Sequence, residues 1–214
     1  MNISSVKFNP SFQKKLMAKG NVLKDNEPCP VAIYKLDKRE DKKYLKDLYE
    51  NADNWKFSYY LSFIKEQFAH PIKYRITKGQ KLEFYTIEDS KNNCLGIVEV
   101  DNGKKDKQNV AFIETFPENR DTNEFKYIGE TLLTFLTKQQ QAQEKPREII
   151  VKMAMLEAQD FYVKSHFEYM FDGCTTNYMF LPKENEDLLI ESNKFHTNKE
   201  IELVGWNEYK FCKI

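Results

Sequence analysis

"FIETFPENRDTNEFKYIGETLLTFLTKQ", residues 112–139, is the stretch on which the reading of the whole chain turns. Its left end, "FIETF", is apolar and strand-like. On its right, Ile128, Leu132, Leu133, Phe135 and Leu136 recur at the 3.6-residue period of an amphipathic helix over about residues 126–143. A polar turn separates the two. Gly129 stands in the first helical turn, although the chain has only 7 glycines. A glycine there costs ~1 kcal/mol of helix propensity relative to alanine. A helix N-terminus presents unpaired N–H groups and a partial positive charge, so it suits an anion. A residue without Cβ would let a phosphate reach that backbone. Lys126, Gly129 and Thr131 then wrap one turn around a point. The plainer alternative is close packing of Gly129 beneath a neighbouring element.

Working outward, "KLEFYTIED", "CLGIVEVD" and "NVAFIETF" predict three strands joined by the polar turns "SKNN" and "NGKKDKQN", an antiparallel meander. Before them, "CPVAIYKL" predicts a buried strand, and Asp37 is a candidate N-cap for a helix in "KREDKKYLKDLYENA". A second helix is expected in "FSYYLSFIKEQF", stopped by Pro71. After the long helix, "EKPREIIVKMAM" predicts a strand reached through that helix and therefore able to run parallel to its predecessor. "EAQDFYVKSHF" predicts a short helix, "YMFDGCTTNYMFLP" a hairpin, and "EIELVGW" a last strand. The order β-α-α-β-β-β-α-β-α-β-β gives an α/β fold with one mixed sheet and helices on both faces. Residues 1–28 are polar and lysine-rich and are read as an N-terminal extension; 29–182 form the domain; 183–214 are a C-terminal extension serving as an added strand, lid or dimer arm.

The bulk numbers narrow the classes. With 33 basic against 33 acidic residues there is no positive excess, which argues against nucleic acid as the main partner. No apolar run approaches the ~20 residues of a membrane span, and the start "MNISSVKFNPSFQKK" has no apolar leader core. Cys29, Cys94, Cys174 and Cys212 are scattered without metal-ligand spacing and read as reduced thiols. The expectation is a soluble cytoplasmic protein, monomer or homodimer, without a metal. Nucleotide-loop, zincin and nucleophile-elbow motifs are absent, and His70, His166 and His196 are isolated from one another.

Two segments taken together resemble the Gcn5-related N-acetyltransferase superfamily. Its acyl-CoA motif runs strand, Q/R-x-x-G-x-G/A, long helix; here Lys126, Tyr127, Ile128, Gly129, Glu130 and Thr131 occupy it. Lys126 stands at the Gln/Arg position and Thr131 at the last small one. A second element, a strand followed by A-x-x-F-Y-x-K-x-G-F, is matched by Ala158, Phe161, Tyr162, Lys164 and Phe167, with His166 in place of the glycine. Pro117 and the "LGIVEV" strand fit as well, and the likeness spans about 150 residues from Val31 onward.

The resemblance implies an acyl-CoA N-acyltransferase fold with a splayed central parallel strand pair, and acetyl-CoA as co-substrate with a primary amine as acceptor. It implies that the strands around 111–116 and 149–154 part, leaving backbone groups for the pantetheine arm. The diphosphate would sit on the N–H groups of residues 127–131, and a backbone N–H near Thr115 or Phe116 would polarise the thioester carbonyl. Glu114 is the leading candidate base, with Glu99 second, and Tyr162 stands where the family often places the acid for the leaving thiolate. Glu114 equally fits a charged residue at a solvent-facing edge, and Tyr162 an aromatic core residue. Lys164 and Arg120 could meet phosphates or be surface charges. Trp55, Tyr59 and Tyr60 fall where an acceptor site is shaped. The alternative function is a binding or interaction protein that keeps the fold without catalysis.

Overall fold

The structure, a computed structural model, describes residues 14–36, 41, 44, 81–115, 124–152, 154–170 and 177–205. The two helices expected between 38 and 68, with Trp55, Tyr59 and Tyr60, lie outside the described residues, as do Phe116, Pro117 and Arg120.

Two long strands open the described chain, β1 (Lys15–Lys24) and β2 (Glu27–Leu36). They form a hairpin closed by Asp25 and Asn26, both left-handed at φ 51° and 68°. Asp and Asn tolerate that conformation, and a two-residue turn of this kind matches the twist of the flanking strands. The meander follows as expected: β3 (Leu82–Asp89), β4 (Cys94–Asp101) and β5 (Lys107–Thr115), all antiparallel. Asp89 makes the turn after β3 by accepting the Lys91 and Asn93 backbone N–H groups at 2.9 and 2.8 Å. β5 then leads through the two-residue β6 (Phe125–Lys126) into helix α1 (Ile128–Gln141).

α1 packs its apolar stripe on one face of the sheet. Leu132, Leu133, Phe135 and Leu136 are fully buried, each stabilising the fold by roughly 1.5–3 kcal/mol. Phe135 meets the Tyr85 ring edge-on at 5.2 Å. Gly96 of β4 is a close approach: a Cβ there would stand 2.8 Å from Ile128 Cγ2 and 2.9 Å from the Glu114 carbonyl oxygen. The crossover places β7 (Glu148–Val151) parallel to β5. Helix α2 (Leu156–Lys164) and the hairpin strands β8 (Glu168–Tyr169) and β9 (Met179–Leu181) complete that half.

The ten described strands form one mixed sheet; with β10 (Glu202–Leu203) at one edge, the order is β10-β1-β2-β3-β4-β5-β7-β9-β8, and β6 pairs off this path to β1. This is the α/β architecture that the sequence predicts from residue 29 onward. Both end regions contribute to the sheet. Within 1–28, residues 15–24 are a strand paired along its length with β2. Within 183–214, helix α3 (Glu186–Thr197) packs on α1, and β10 (Glu202–Leu203) pairs Ala18 with Leu203 and Lys19 with Glu202. Both termini therefore meet on β1. The lysines masked the pattern: Met17, Ala18 and Val22 are buried while Lys15 and Lys19 face water, so alternation is weak until the strand is seen paired.

No helix among the described residues is long and apolar enough to cross a membrane.

Candidate functional site

The site begins where β5 and β7 part. They pair only at Lys107 with Glu148, Gln108 with Ile149 and Asn109 with Ile150. Past that point the Lys152 N–H donates to the Asn109 side chain, Asn109 Oδ1 accepting at 3.2 Å, so an amide stands in for the next ladder bond. Among the described strands β5 continues to Thr115 paired with β4. A register shift opposite Glu99 and Val100 leaves Ala111 as an extra residue in β5, a β-bulge at the mouth of the fork. The parallel pair thus splays, as the resemblance implies.

A cavity of about 880 Å³ occupies the fork and runs to the tip of α1. Its walls come from Val110–Thr115 on one side, from Val151, Ala154, Met155, Phe161 and Tyr162 on the other, and from residues 125–130 at the helix tip. Most of the expected site residues converge here: Glu114, Thr115, Lys126, Tyr127, Ile128, Gly129, Glu130 and Tyr162 all line it, as does Lys164.

The helix tip carries no side-chain cap. Its first intrahelical bond runs from the Thr131 N–H to the Tyr127 carbonyl at 2.9 Å. The N–H groups of Ile128, Gly129 and Glu130 precede that bond and are the ones a helix leaves open. Tyr127, at the N-cap, is left-handed at φ 66° although it is not a glycine. Its ring stacks on His196 of α3, with centroids 4.4 Å apart and planes 10° from parallel. The same imidazole places Nδ1 3.1 and 3.2 Å from the two Glu130 carboxylate oxygens.

Three expectations change in detail. Thr131 does not line the cavity: its N–H is used inside the helix, and its hydroxyl accepts from Asn193 Nδ2 at 3.0 Å. Gly129 does line the cavity, but the space left by its missing side chain holds the Phe161 ring. A Cβ on Gly129 would lie 2.8 Å from Phe161 Cζ, which is the close-packing alternative. Glu99 is buried beside Phe112 in the β4–β5 register and does not reach the cavity.

Tyr162 borders the cavity from the core, 5% exposed, with Phe161 and Phe167 around its ring at 5.1 and 5.5 Å. Burial pushes its pKa well above the ordinary tyrosine value, so the hydroxyl stays protonated near neutral pH. Among the described residues it has no hydrogen-bond partner, which leaves the proton available to a ligand atom. Glu114 is 8% exposed and also faces the cavity. α2 ends in a Schellman turn: the Phe167 N–H donates to the Tyr162 carbonyl and the His166 N–H to the Val163 carbonyl, both at 3.0 Å. His166 takes φ 65° there, the conformation that suits the glycine of the motif. Lys126 donates to Asn26 Oδ1 at 2.8 Å. Among the described residues no His, Cys, Asp and Glu group is placed to hold a metal ion.

Sequence reading did not single out His196 or Asn109. Asn109 carries no local signal beyond its place near a strand start. His196 reaches the helix tip from 66 residues away, and no spacing rule covers that distance.

A forked parallel pair in a mixed sheet, facing an uncapped helix tip, is the arrangement that the resemblance to the Gcn5-related N-acetyltransferase superfamily implies. The chain is similar in structure to an acetyltransferase of the GNAT family from Staphylococcus aureus, with 13% identity, TM-score 0.48, and coverage of 71% of this chain and 98% of that one. Tetrahymena GCN5 is similar at 14% identity and TM-score 0.47, covering 67% and 88%. A spermidine N-acetyltransferase SpeG chimera from Vibrio cholerae and hSSAT is similar at 14% identity and TM-score 0.44, covering 85% and 98%. No protein-family model matches the chain, and no curated protein matches its sequence.

Proposed function

We propose that the chain is a member of this superfamily and transfers an acetyl group from acetyl-CoA to a primary amine, on a small molecule or a protein. The observation that carries this reading is the fork: β5 and β7 part after Asn109 and Ile150, and the cavity between them ends at the open N–H groups of α1. A strand edge that lines a cavity where its parallel neighbour diverges binds an extended amide chain as an added strand would. A bare helix tip binds a diphosphate. The distance between the two features is bridged by one continuous cavity.

The residues divide the work. The N–H groups of Ile128, Gly129 and Glu130 hold the diphosphate, with Lys126 and Lys164 at the cavity wall adding positive charge. β5 from Val110 to Thr115, past its last pairing with β7, positions the pantetheine arm and thioester. Glu114 accepts the proton that the acceptor amine must lose before attack. The neutral amine nitrogen then bonds to the acetyl carbon, the carbon–sulfur bond breaks, the Tyr162 hydroxyl donates its proton to the departing sulfur, and the proton that the adduct nitrogen sheds as it becomes an amide restores the Tyr162 hydroxyl. An apolar wall around Tyr162 strengthens that hydrogen bond by excluding water.

The experiment is a melting scan with and without acetyl-CoA, followed by thiol release with a panel of amines. At saturating acetyl-CoA the melting temperature should rise by roughly 5 to 10 °C, and at least one amine should release CoA thiol. No shift at millimolar acetyl-CoA would end the proposal. The filling of the Gly129 gap by Phe161 favours a second reading, a binding protein without catalysis. A shift with no thiol release from any amine would select that reading.

A further inference from the structure

The open tip of α1 contains its own obstruction. Glu130 is the third residue of the helix, and a glutamate there is the one that folds back on the N-cap N–H in a capping box. In that position its carboxylate would occupy the place of a bound diphosphate and repel it. The N-cap has no side-chain bond. The Glu130 carboxylate goes instead to α3, where both oxygens lie 3.1 and 3.2 Å from His196 Nδ1. A carboxylate only accepts, so Nδ1 carries the proton and donates it. The Glu130 side chain is only 12% exposed, so water screens its charge poorly.

The same histidine ring lies flat on Tyr127 at 4.4 Å. One imidazole therefore touches the first and fourth residues of the tip, Tyr127 and Glu130. We infer that His196 is a positioning residue that keeps the CoA site open: it draws the Glu130 carboxylate aside and braces the left-handed cap at Tyr127, so that the first-turn N–H groups face the cavity rather than a carboxylate of their own helix. This role rests on the proposed use of the helix tip for a CoA diphosphate.

The surroundings of His196 are simple. From α1 it faces Glu130, and Tyr127 at the cap of that helix. On its own helix, Ser192 Oγ lies 3.5 Å from Nδ1 and the Phe195 ring 5.8 Å from the imidazole. β1, also packed on α3, offers the uncharged Asn21, whose Nδ2 donates to the Thr197 carbonyl at 3.4 Å. Among the described residues the sole charged partner of His196 is Glu130.

The test is calorimetric titration of the full chain with CoA at constant pH and salt. His196→Ala should weaken CoA roughly fivefold, from the restored charge and the loosened cap. Adding Glu130→Gln to that variant should recover most of the affinity, because the repelling charge is gone. Glu130→Gln alone should bind CoA more tightly than wild type. His196→Asn, which keeps an N–H near the Nδ1 position but loses the ring stacked on Tyr127, should fall between wild type and His196→Ala. A double variant as weak as His196→Ala, or a Glu130→Gln variant that loses affinity, would overturn the role. The second of these needs no histidine substitution, so it decides even if His196→Ala does not fold. Absence of CoA binding by the wild-type chain is a different failure: it removes the proposed donor, and this role with it.

Discussion

Gly129 of α1 lies against the ring of Phe161 of α2, so closely that a Cβ on the glycine would stand 2.8 Å from Cζ. The contact joins the helix tip to the helix that carries Tyr162. A residue that the sequence offers as a phosphate contact is thus also the joint between the two motif segments.

The first prediction follows from that joint. Gly129→Ala gains up to ~1 kcal/mol of helix propensity but must displace the Phe161 ring, and overpacking costs ~1–3 kcal/mol. The net expectation is a loss of about 1 kcal/mol in urea unfolding. Phe161→Leu in the same chain should remove the clash, so the double variant should be less destabilised than the sum of the two singles. Strict additivity would show that the ring is not what excludes the methyl group.

Tyr162→Phe should lower turnover by about 10²-fold with CoA affinity nearly unchanged, since a general acid contributes on that scale. Equal loss in kcat and in CoA binding would place the hydroxyl in ground-state binding instead.

Tyr162 also has a signature at alkaline pH. Burial raises its folded-state pKa above its unfolded value, so the stability it contributes is complete below about pH 10 and falls as pH rises above it. Stability measured from pH 9 to 11 should fall less steeply in Tyr162→Phe than in wild type. Parallel slopes would contradict the burial of that hydroxyl.

At the crotch of the fork, Asn109→Ala removes the acceptor for the Lys152 N–H. A part-buried hydrogen bond of this kind contributes about 1 kcal/mol. Hydrogen exchange at the Lys152 amide should accelerate, while the amides of Ile149 and Ile150 stay protected. Uniform protection would mean that the amide is not the last rung of the ladder.

His166→Gly should stabilise the chain. His166 is held at φ 65° by the Schellman turn, and a side chain in that region costs roughly 1–2 kcal/mol relative to glycine. Part of the gain is offset by the greater freedom of glycine in the unfolded chain, so about +0.5 kcal/mol is expected. A destabilised variant would show that the imidazole contributes contacts beyond the turn.

Residue order is enough to place the helix α1, the three-strand meander, the parallel return to β7 and the short helix α2. Each is written in a local period, apolar every 3.6 residues or every second one, and burial on one face follows from the period alone. The turn at Asp25 and Asn26 was equally local, yet β1 escaped notice because its exposed lysines outweigh a thin buried row of Met17, Ala18 and Val22. Tertiary structure alone decided what fills the space beside Gly129, that Thr131 turns toward Asn193, and that His196 comes to rest on Tyr127 and Glu130. A period reports which face of an element is buried. It does not report which side chain, arriving from a distant segment, will be packed against that face.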